Sequence, residues 1–309
     1  MAVKLMAVRT YLLPFCLLAQ AVFSVGQPAG GDPDAASGAQ AQAVVQRALA
    51  NELQAAQDTS HPMRYQLRKS SPQLTSTKEI FETRDGAVAR LVSINDKPLN
   101  QTEAQEEQER LDALLRDPTR QQRRKQGQDA DSMRALKVLR LLPGAFLYSY
   151  AGSTAGPDGE IDKFSFVPNP KFDPPDLETR VLTAMCGDLW VDAAQERVMR
   201  LEGHLQENVD FGWGILGRLY KGGWIAIEQA DVGENQWRVV HFEMKMSGRV
   251  LFRSKRFDVV EEQTQYAPLP VGLSYKEAIR MMREGPAATV QIGRRGTKAS
   301  MTKRPRPRV

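Results

Sequence analysis

The residue types that carry most enzyme and metal chemistry are few in this chain of 309 residues, and they do not cluster. His61, His204 and His241 stand far apart, and the chain has no His-Glu-x-x-His pair and no Gly-x-Ser-x-Gly turn. Cys186 lies beside Gly187 at a strand start, where a buried structural thiol is expected rather than a nucleophile. We therefore expect no catalytic residues, no metal site and no cofactor.

Two features of the sequence could contact phosphate groups. The run FGWGILGRLYKGG is rich in glycine, but it lacks the strand-to-helix context and the Gly-Lys-Ser/Thr ending of a phosphate-binding loop. The second feature is a basic cluster formed by Arg120, Arg123, Arg124 and Lys125. A solvated helix face is the simpler interpretation of that cluster, and phosphate contact is the alternative.

The N-terminal segment has the layout of a secretory signal peptide. Lys4 and Arg9 precede an apolar run of about fifteen residues, which is shorter than the roughly twenty that a membrane-spanning helix needs. We predict a Sec-type signal over residues 1–26, with cleavage after Ala21, Ser24 or Gly26, followed by a disordered linker over 27–39. Cys16 lies inside the apolar run, so lipidation is not expected. The protein is thus predicted to be periplasmic.

The C-terminal tail is strongly basic, whereas the rest of the chain is close to neutral. Residues 291–309 carry seven basic side chains and no acidic one, which predicts a disordered tail. The tail is interpreted either as a solubilising segment or as a peripheral contact with anionic membrane lipid. No nucleic-acid partner is expected for an exported protein.

Hydrophobic periodicity predicts helices in two places. Residues 41–53 form an amphipathic pattern, with Val44, Val45, Ala48 and Leu49 at helical spacing. Residues 102–142 form a mostly charged helical insertion, in which Gly127 argues for a break and Pro143 for the end.

The remaining segments alternate as β-strands separated by short turns, which is typical of an antiparallel meander. Asp85-Gly86 supplies a hairpin turn between the second and third predicted strands. The predicted strands are 63–69, 75–83, 87–94, 145–150, 161–167, 189–192, 197–205, 223–232, 236–246 and 249–262. Two of the later strands each have one wholly apolar face, which predicts either a filled core or a hydrophobic groove for an acyl chain; both alternatives remain open, and the sequence alone favours the filled core.

One run of the sequence, GDLWVDAAQERVMRLEGHL at residues 187–205, resembles a known family. It matches a strand that ends Leu-Trp-Val-Asp, a short turn, and a strand that ends Arg-Leu-Glu-Gly. NELQAAQ, YQLRK, ETRDGAVARLVSINDKPL, VPNPKFDPP and DFGWGILGRLYKGG occur around it, and together these motifs span about residues 44–260. The chain thus resembles the outer-membrane lipoprotein-sorting-like proteins, which are related to the carriers LolA and LolB and the sensor RseB and include exported members of unassigned function.

This resemblance implies an α+β fold, in which an open, strongly curved antiparallel β half-barrel has helices packed on its concave face. The implied single domain covers residues 40–265, with the insertion at about 102–142, and a C-terminal extension follows over 266–290. An apolar cavity between sheet and helices would take the acyl chains of lipids or lipoproteins. The implied function is that of a periplasmic, non-catalytic binding protein for lipid or lipidated cargo.

The apolar strand faces provide candidates for the lining of this cavity. They are Met199, Leu201, Leu205, Ile225, Ile227, Phe242, Met244 and Phe252. The loop at 211–220 would be a gate or membrane-touching edge, with Trp213, Ile215, Leu216 and Leu219 as its apolar residues. The alternative function is a periplasmic sensor or scaffold that binds an envelope protein partner through the charged insertion.

Overall fold

A computed structural model of the protein describes residues 33–156, 159–212, 216–251 and 253–284. The predicted signal peptide and the basic tail lie outside these residues. Within the described ranges, no helix is both long and apolar enough to span a bilayer.

The strands of the described residues form one large antiparallel sheet, whose order is β4-β3-β2-β1-β13-β12-β11-β8-β7-β6-β5. A small β9–β10 ladder is attached to β12. The sheet is open, because its outer strands β4 and β5 do not pair with each other. The predicted α+β class with an open antiparallel sheet is therefore confirmed. The strands are β1 Met63–Ser70, β2 Thr75–Phe81, β3 Val88–Ile94, β4 Lys97–Pro98, β5 Phe146–Ala155, β6 Glu160–Pro168, β7 Met185–Asp192, β8 Arg197–Leu205, β9 Val209–Phe211, β10 Gly217–Leu219, β11 Trp224–Asp231, β12 Trp237–Val250 and β13 Arg253–Pro268.

The helices differ from the sequence prediction in their bounds. They are α1 Pro33–Gln57, α2 Gln101–Arg116, α3 Pro118–Ala145 and α4 Tyr275–Glu284, together with a 3₁₀ helix at Thr179–Ala184. α1 begins inside the segment predicted as a disordered linker. α3 continues through Gly127, where a break was predicted, and includes Pro143. The side chains of Gln121 and Gln128, on either side of Gly127, bond to the backbone of the β2–β3 turn and hold the helix there.

Two hydrophobic cores stabilise the sheet. In the first, α1 packs on β5, β8 and α3 through residues such as Val45, Ala48 and Leu49. In the second, α2 and α4 pack around the β2–β3 hairpin, where Leu111 and Ile279 are fully buried. Since α4 belongs to this second core, the segment predicted as a C-terminal extension is an integral part of the fold as far as Glu284.

Candidate functional site

A cavity of about 750 Å³ lies between the sheet and the C-terminal half of α3. Its volume is within the usual range for small-molecule sites, and its lining is almost entirely apolar. β8, β11 and β12 contribute the floor, α3 contributes Val138 and Leu142, and the segment 177–182 forms another wall. The apolar lining residues are Val138, Leu142, Phe146, Phe166, Leu177, Val181, Leu182, Met185, Leu201, Phe211, Leu216, Leu219, Ile225, Ile227, Met246, Val250, Leu251 and Phe257.

Two glycines beside the cavity floor keep side chains out of it. Gly187 of β7 lies directly opposite Gly203 of β8. A Cβ atom on Gly187 would lie 1.9 Å from the carbonyl oxygen of Glu202, so a larger residue would require the backbone to shift. A Cβ atom on Gly203 would contact the side chains of Met185 and Ile225, both of which line the cavity. Gly187 therefore allows β7 and β8 to approach closely, and Gly203 leaves room for Met185 and Ile225.

The mouth of the cavity carries apolar side chains that face solvent. Leu216 is 42% exposed and Phe257 is 41% exposed, while Val250 and Leu251 are each 51% exposed. Such a cluster of exposed large apolar residues is typical of a binding surface. Charged groups of Glu178, Arg218, Arg249 and Lys255 also lie in the lining. The mouth is thus apolar with a mainly basic rim.

Ion pairs hold the walls of the cavity in place. The Lys137 Nζ of α3 lies 2.7 Å from Asp176 Oδ2 and 3.0 Å from Glu178 Oε2. These hydrogen bonds raise the pKa of Lys137. Burial acts to raise the pKa of Asp176, but bonds from Lys137 and Thr179 outweigh it and lower that pKa. We refer to Lys137, Asp176 and Glu178 as the clasp, because they join α3 to the wall segment on the other side.

The structure brings together five of the residues that the sequence proposed for the cavity and its gate. Leu201, Ile225 and Ile227 line the floor, and Leu216 and Leu219 line the mouth. Leu205 is 1% exposed and belongs to the filled core instead. Phe242 and Met244 lie on the same face of the sheet, opposite Ile227 and Ile225, but outside the cavity lining. Phe252, Trp213 and Ile215 lie outside the described residues.

Met199 was assigned to the cavity by strict alternation, and the structure corrects this. The β7–β8 register shifts between Trp190 and Val191, so Met199 is the extra residue of a β-bulge. Met199 therefore shares the opposite face of the sheet with Arg200, next to Trp190 and Val240. Val240 lies on this face for the same reason: the β11–β12 register shifts between Glu228 and Gln229, which makes Val240 the extra residue of a second bulge.

Sequence reasoning missed the half of the cavity that is formed away from β8, β11 and β12. Val138 and Leu142 were recognised only as part of a helical pattern, and Phe146 and Phe166 only as members of strands. Their helical and alternating spacing shows that one face is apolar, but it does not show which element covers that face. Only the pairing of neighbouring strands from β5 through β6 and β7 to β8 brings these residues to one cavity.

Two observations on the described residues bear on metal binding and on thiol chemistry. They contain no group of three or more side chains of His, Cys, Asp or Glu that could hold a metal ion. Cys186 Sγ lies 3.1 Å from His204 Nε2, an arrangement that could in principle activate a thiol. However, Cys186 is buried, and burial raises the pKa of its thiol, which disfavours the reactive thiolate. His204 pairs with Trp224, and the next residue of that strand, Ile225, lines the cavity. Because successive residues of a strand face opposite sides, the Cys186–His204 pair lies on the face away from the cavity.

Comparisons with known proteins find similarity only at the level of structure. No protein-family model matches the chain, and no curated protein is significantly similar in sequence. A domain from Vibrio parahaemolyticus, described as an outer membrane lipoprotein-sorting protein, is similar with 9% identity and a TM-score of 0.27, covering 77% of this chain and 100% of the domain. A DUF1329 family protein from Desulfovibrio piger is similar with the same identity and TM-score, covering 76% of this chain and 95% of its own.

Proposed function

We propose that this protein binds the apolar chain of a lipid or lipidated cargo in the cavity and performs no catalysis on it. The observation that carries the proposal is the combination of an apolar cavity of about 750 Å³ with exposed apolar residues at its mouth. A filled core would bury such side chains, whereas a lipid site needs an apolar entrance for its ligand.

The size of the hydrophobic effect makes such binding favourable. Each methylene group that leaves water contributes about 0.8 kcal/mol. A chain of eight or more buried methylenes therefore gains roughly 6 kcal/mol or more before the cost of association. Transfer from membrane or micelle to the cavity would be close to neutral, because both environments are apolar, and this is appropriate for a carrier that must also release its cargo.

Native mass spectrometry with lipid extraction tests the proposal directly. The protein would be purified from a bacterial periplasm, and we expect an acyl species at near-stoichiometric level. After delipidation, uptake of a fluorescent fatty acid would be measured for the unmodified protein, for Leu216→Asp and for the matched control Leu147→Asp. Leu147 is 47% exposed, close to the 42% of Leu216, but does not line the cavity.

We expect the carboxylate at position 216 to weaken uptake at least tenfold, since it introduces a charge at the apolar mouth. Leu147→Asp should bind as the unmodified protein does. An apo mass for the purified protein together with no uptake of added lipid would overturn the proposal. Equal losses in both variants would indicate a general effect of surface charge and would also contradict it.

Export by the predicted signal peptide belongs to the same proposal. N-terminal sequencing of the periplasmic protein should find a start between residues 22 and 27. A cytoplasmic protein that retains its first residues would contradict periplasmic cargo binding.

The alternative of a partner-binding scaffold is supported by one observation on the charged insertion. Residues 129–135 of α3 are all exposed, including Met133, whose exposed fraction is 59%. If this stretch docks a partner, Met133→Asp should abolish crosslinking to it while lipid uptake stays unchanged. Crosslinking that is insensitive to this substitution would remove the alternative.

A further inference from the structure

A second set of side chains lies where strand β2 meets α2 and the N-terminal half of α3. Lys78 projects from β2, Arg110 from α2 and Arg124 from α3. We call these three residues the cation cluster. Lys78 pairs with Leu91, whose backbone N–H donates to the Glu107 that binds Arg110. Arg124 shares the face of α3 on which Gln121 and Gln128 bond to the β2–β3 turn. All three cations are partly buried. Cations from three different elements therefore converge on one place, which is not the pattern of a solvated helix face.

The carboxylates near the cation cluster already have basic partners. Arg110 Nε lies 2.7 Å from Glu107 Oε2, and Arg110 Nη2 lies 2.7 Å from Glu107 Oε1. The backbone N–H of Leu91 also donates to Glu107. Nearby, Lys69 Nζ lies 2.6 Å from Glu261 Oε1. Each of these two carboxylates thus has its own basic partner.

Neither Lys78 nor Arg124 has a carboxylate partner of its own; the carboxylate that acts on both electrostatically is Glu107, which is already bonded to Arg110. No hydrogen bond or ion pair joins the half-buried Lys78 to another described residue. Arg124 Nε is fully buried and has no partner among the described residues. Burial, followed by repulsion from Arg110, lowers the pKa of each of these two groups and outweighs the attraction of Glu107, which acts to raise both. Partly buried cations are costly when three of them share one carboxylate, so the two that lack a bonded carboxylate point to an anion that completes them.

We propose that Lys78 and Arg124, with Arg110 beside them, form a binding site for an oxyanion of the phosphate class. An arginine presents a planar fork of donors that matches a phosphate, and a lysine adds a compact point charge. Two unpaired cations match the charge of a phosphate monoester, and they exceed that of a single carboxylate.

The cation cluster lies on the same face of the sheet as the cavity. Ile225 pairs with Met244, and Met244 pairs with Val259 on β13. Two residues further along β13, Glu261 pairs with Lys69. Leu67, two residues from Lys69, pairs with Lys78. Because directly opposed residues and alternate residues share a face, Lys78 and Ile225 project to the same side.

The spacing between the two sites suits one amphiphile. β11 and β2 are separated by four inter-strand steps, which is roughly 19 Å. Along α3, Arg124 and Val138 are separated by roughly 21 Å. Both spans are comparable to an extended long acyl chain.

The region between the two sites is uncovered. The exposed residues 129–135 of α3 cover nearly two helical turns, so the middle of α3 does not seat on the sheet. Phe242 and Met244, which lie between the cavity and the cluster, remain partly exposed. An anionic amphiphile could thus place its chain in the cavity and its headgroup at the cation cluster. This second step rests on the proposed function, whereas the anion site itself does not.

The experiment compares three probes on the delipidated full chain by isothermal titration calorimetry. Hexadecyl phosphate carries the chain and the anion, hexadecyl maltoside carries the same chain with a neutral headgroup, and inorganic phosphate carries the anion alone. The variants are Lys78→Gln/Arg124→Gln, Arg124→Lys and the control Arg123→Gln, an exposed neighbour on α3. Removal of the charges of Lys78 and Arg124 should not prevent folding, because neither side chain has a hydrogen-bond partner to lose.

We expect hexadecyl phosphate to bind at least tenfold more tightly than hexadecyl maltoside. Lys78→Gln/Arg124→Gln should remove this preference without changing the affinity for the maltoside. Arg124→Lys should retain most of it, and Arg123→Gln should retain all of it. Binding of inorganic phosphate that depends on both residues, without any headgroup preference, would uphold the anion site but overturn its link to the cavity.

Equal affinity for both amphiphiles, unchanged in every variant and accompanied by no phosphate binding, would overturn the anion site while leaving the proposed function intact. Binding of inorganic phosphate alone, with neither amphiphile bound, would have the opposite meaning. It would uphold the anion site and remove the lipid-binding function.

Discussion

Glu52 of α1 and Arg197 of β8 form a bidentate ion pair, with Nε–Oε1 and Nη2–Oε2 distances of 2.8 Å and 3.1 Å. The same carboxylate accepts hydrogen bonds from the backbone N–H of Val198 and from the side chain of Gln229. Only 9% of the Glu52 side chain and 13% of the Arg197 side chain are exposed. The pair therefore fixes the end of α1 to two strands at once, next to the core that supports the cavity.

Replacement of Glu52 should strongly destabilise the protein. Glu52→Ala leaves a buried guanidinium without its counter-charge, and the expected loss is about 3 kcal/mol in the free energy of unfolding. The control is Arg47→Ala, which removes an exposed ion pair between α1 and Glu196 and should cost less than about 1 kcal/mol. Urea unfolding followed by circular dichroism measures both values. Similar losses for the two variants would show that burial of the Glu52 pair has no special importance.

The two facing glycines should differ in their tolerance of a methyl group. Gly187→Ala brings the new Cβ against the Glu202 carbonyl, so the strands must separate, and we expect a loss of more than about 3 kcal/mol or no folding. Gly203→Ala meets the flexible end of Met185 first, at 2.8 Å from its sulfur, and should cost about 1 kcal/mol. Because Met185 lines the cavity, Gly203→Ala should also weaken lipid uptake. Thermal unfolding and fatty-acid titration of both variants test this prediction. Equal losses of stability for Gly187→Ala and Gly203→Ala would refute it.

Removal of the Lys78 charge should stabilise the protein while weakening anion binding. The pKa of Lys78 is lowered from its usual 10.5, so between the lowered pKa and 10.5 the unfolded chain holds more protons than the folded one. Stability should therefore rise with pH across that window. At pH 7, Lys78→Met should raise Tm, whereas Lys97→Met on exposed β4 should leave it unchanged. A lower Tm for Lys78→Met would mean that the charge is satisfied in the ligand-free protein.

Acid should open the clasp. The pKa of Asp176 is lowered from its usual 3.8, so its contribution to stability is complete above pH 3.8 and is lost as the pH falls through the lowered value. We expect bound fatty acid to dissociate faster in that acid range, as measured by stopped-flow fluorescence. Lys137→Met should release the ligand faster already at pH 7 and should lose most of the acid dependence. If this variant keeps the full acid dependence, another carboxyl group controls release.

The strand pattern was sufficient to predict an antiparallel meander, whereas the α+β class and the open form of the sheet followed from the resemblance. Alternation identified the strand at Arg197–Leu205 with its true bounds, and it placed Leu201 correctly in the cavity. It failed at Met199 because a single bulge residue reverses the face of all residues beyond it, and alternation carries no signal of where a bulge occurs.

Long-range contacts explain the other differences between the sequence prediction and the structure. Gly127 lowers the intrinsic helix propensity of α3, but the bonds of Gln121 and Gln128 to a turn more than thirty residues earlier outweigh it. In the same way, Lys78 and Arg124 carry no shared motif in the sequence. Only the packing of α3 across the sheet brings them together, and Arg120 and Arg123 of the same basic cluster remain exposed.

The position of α1 in the chain also has a consequence for the order in which the protein acquires its structure. α1 leads the described residues, yet its partners lie far downstream: Glu52 bonds to residues that are 145 and 177 positions away. A chain that emerges with its N-terminal end first must therefore keep the apolar side of α1 unsatisfied until β8 and β11 have followed. Completion of the cavity and docking of α1 become late, coupled events, and a chaperone that holds the early chain would act on α1 before the other helices of the described residues.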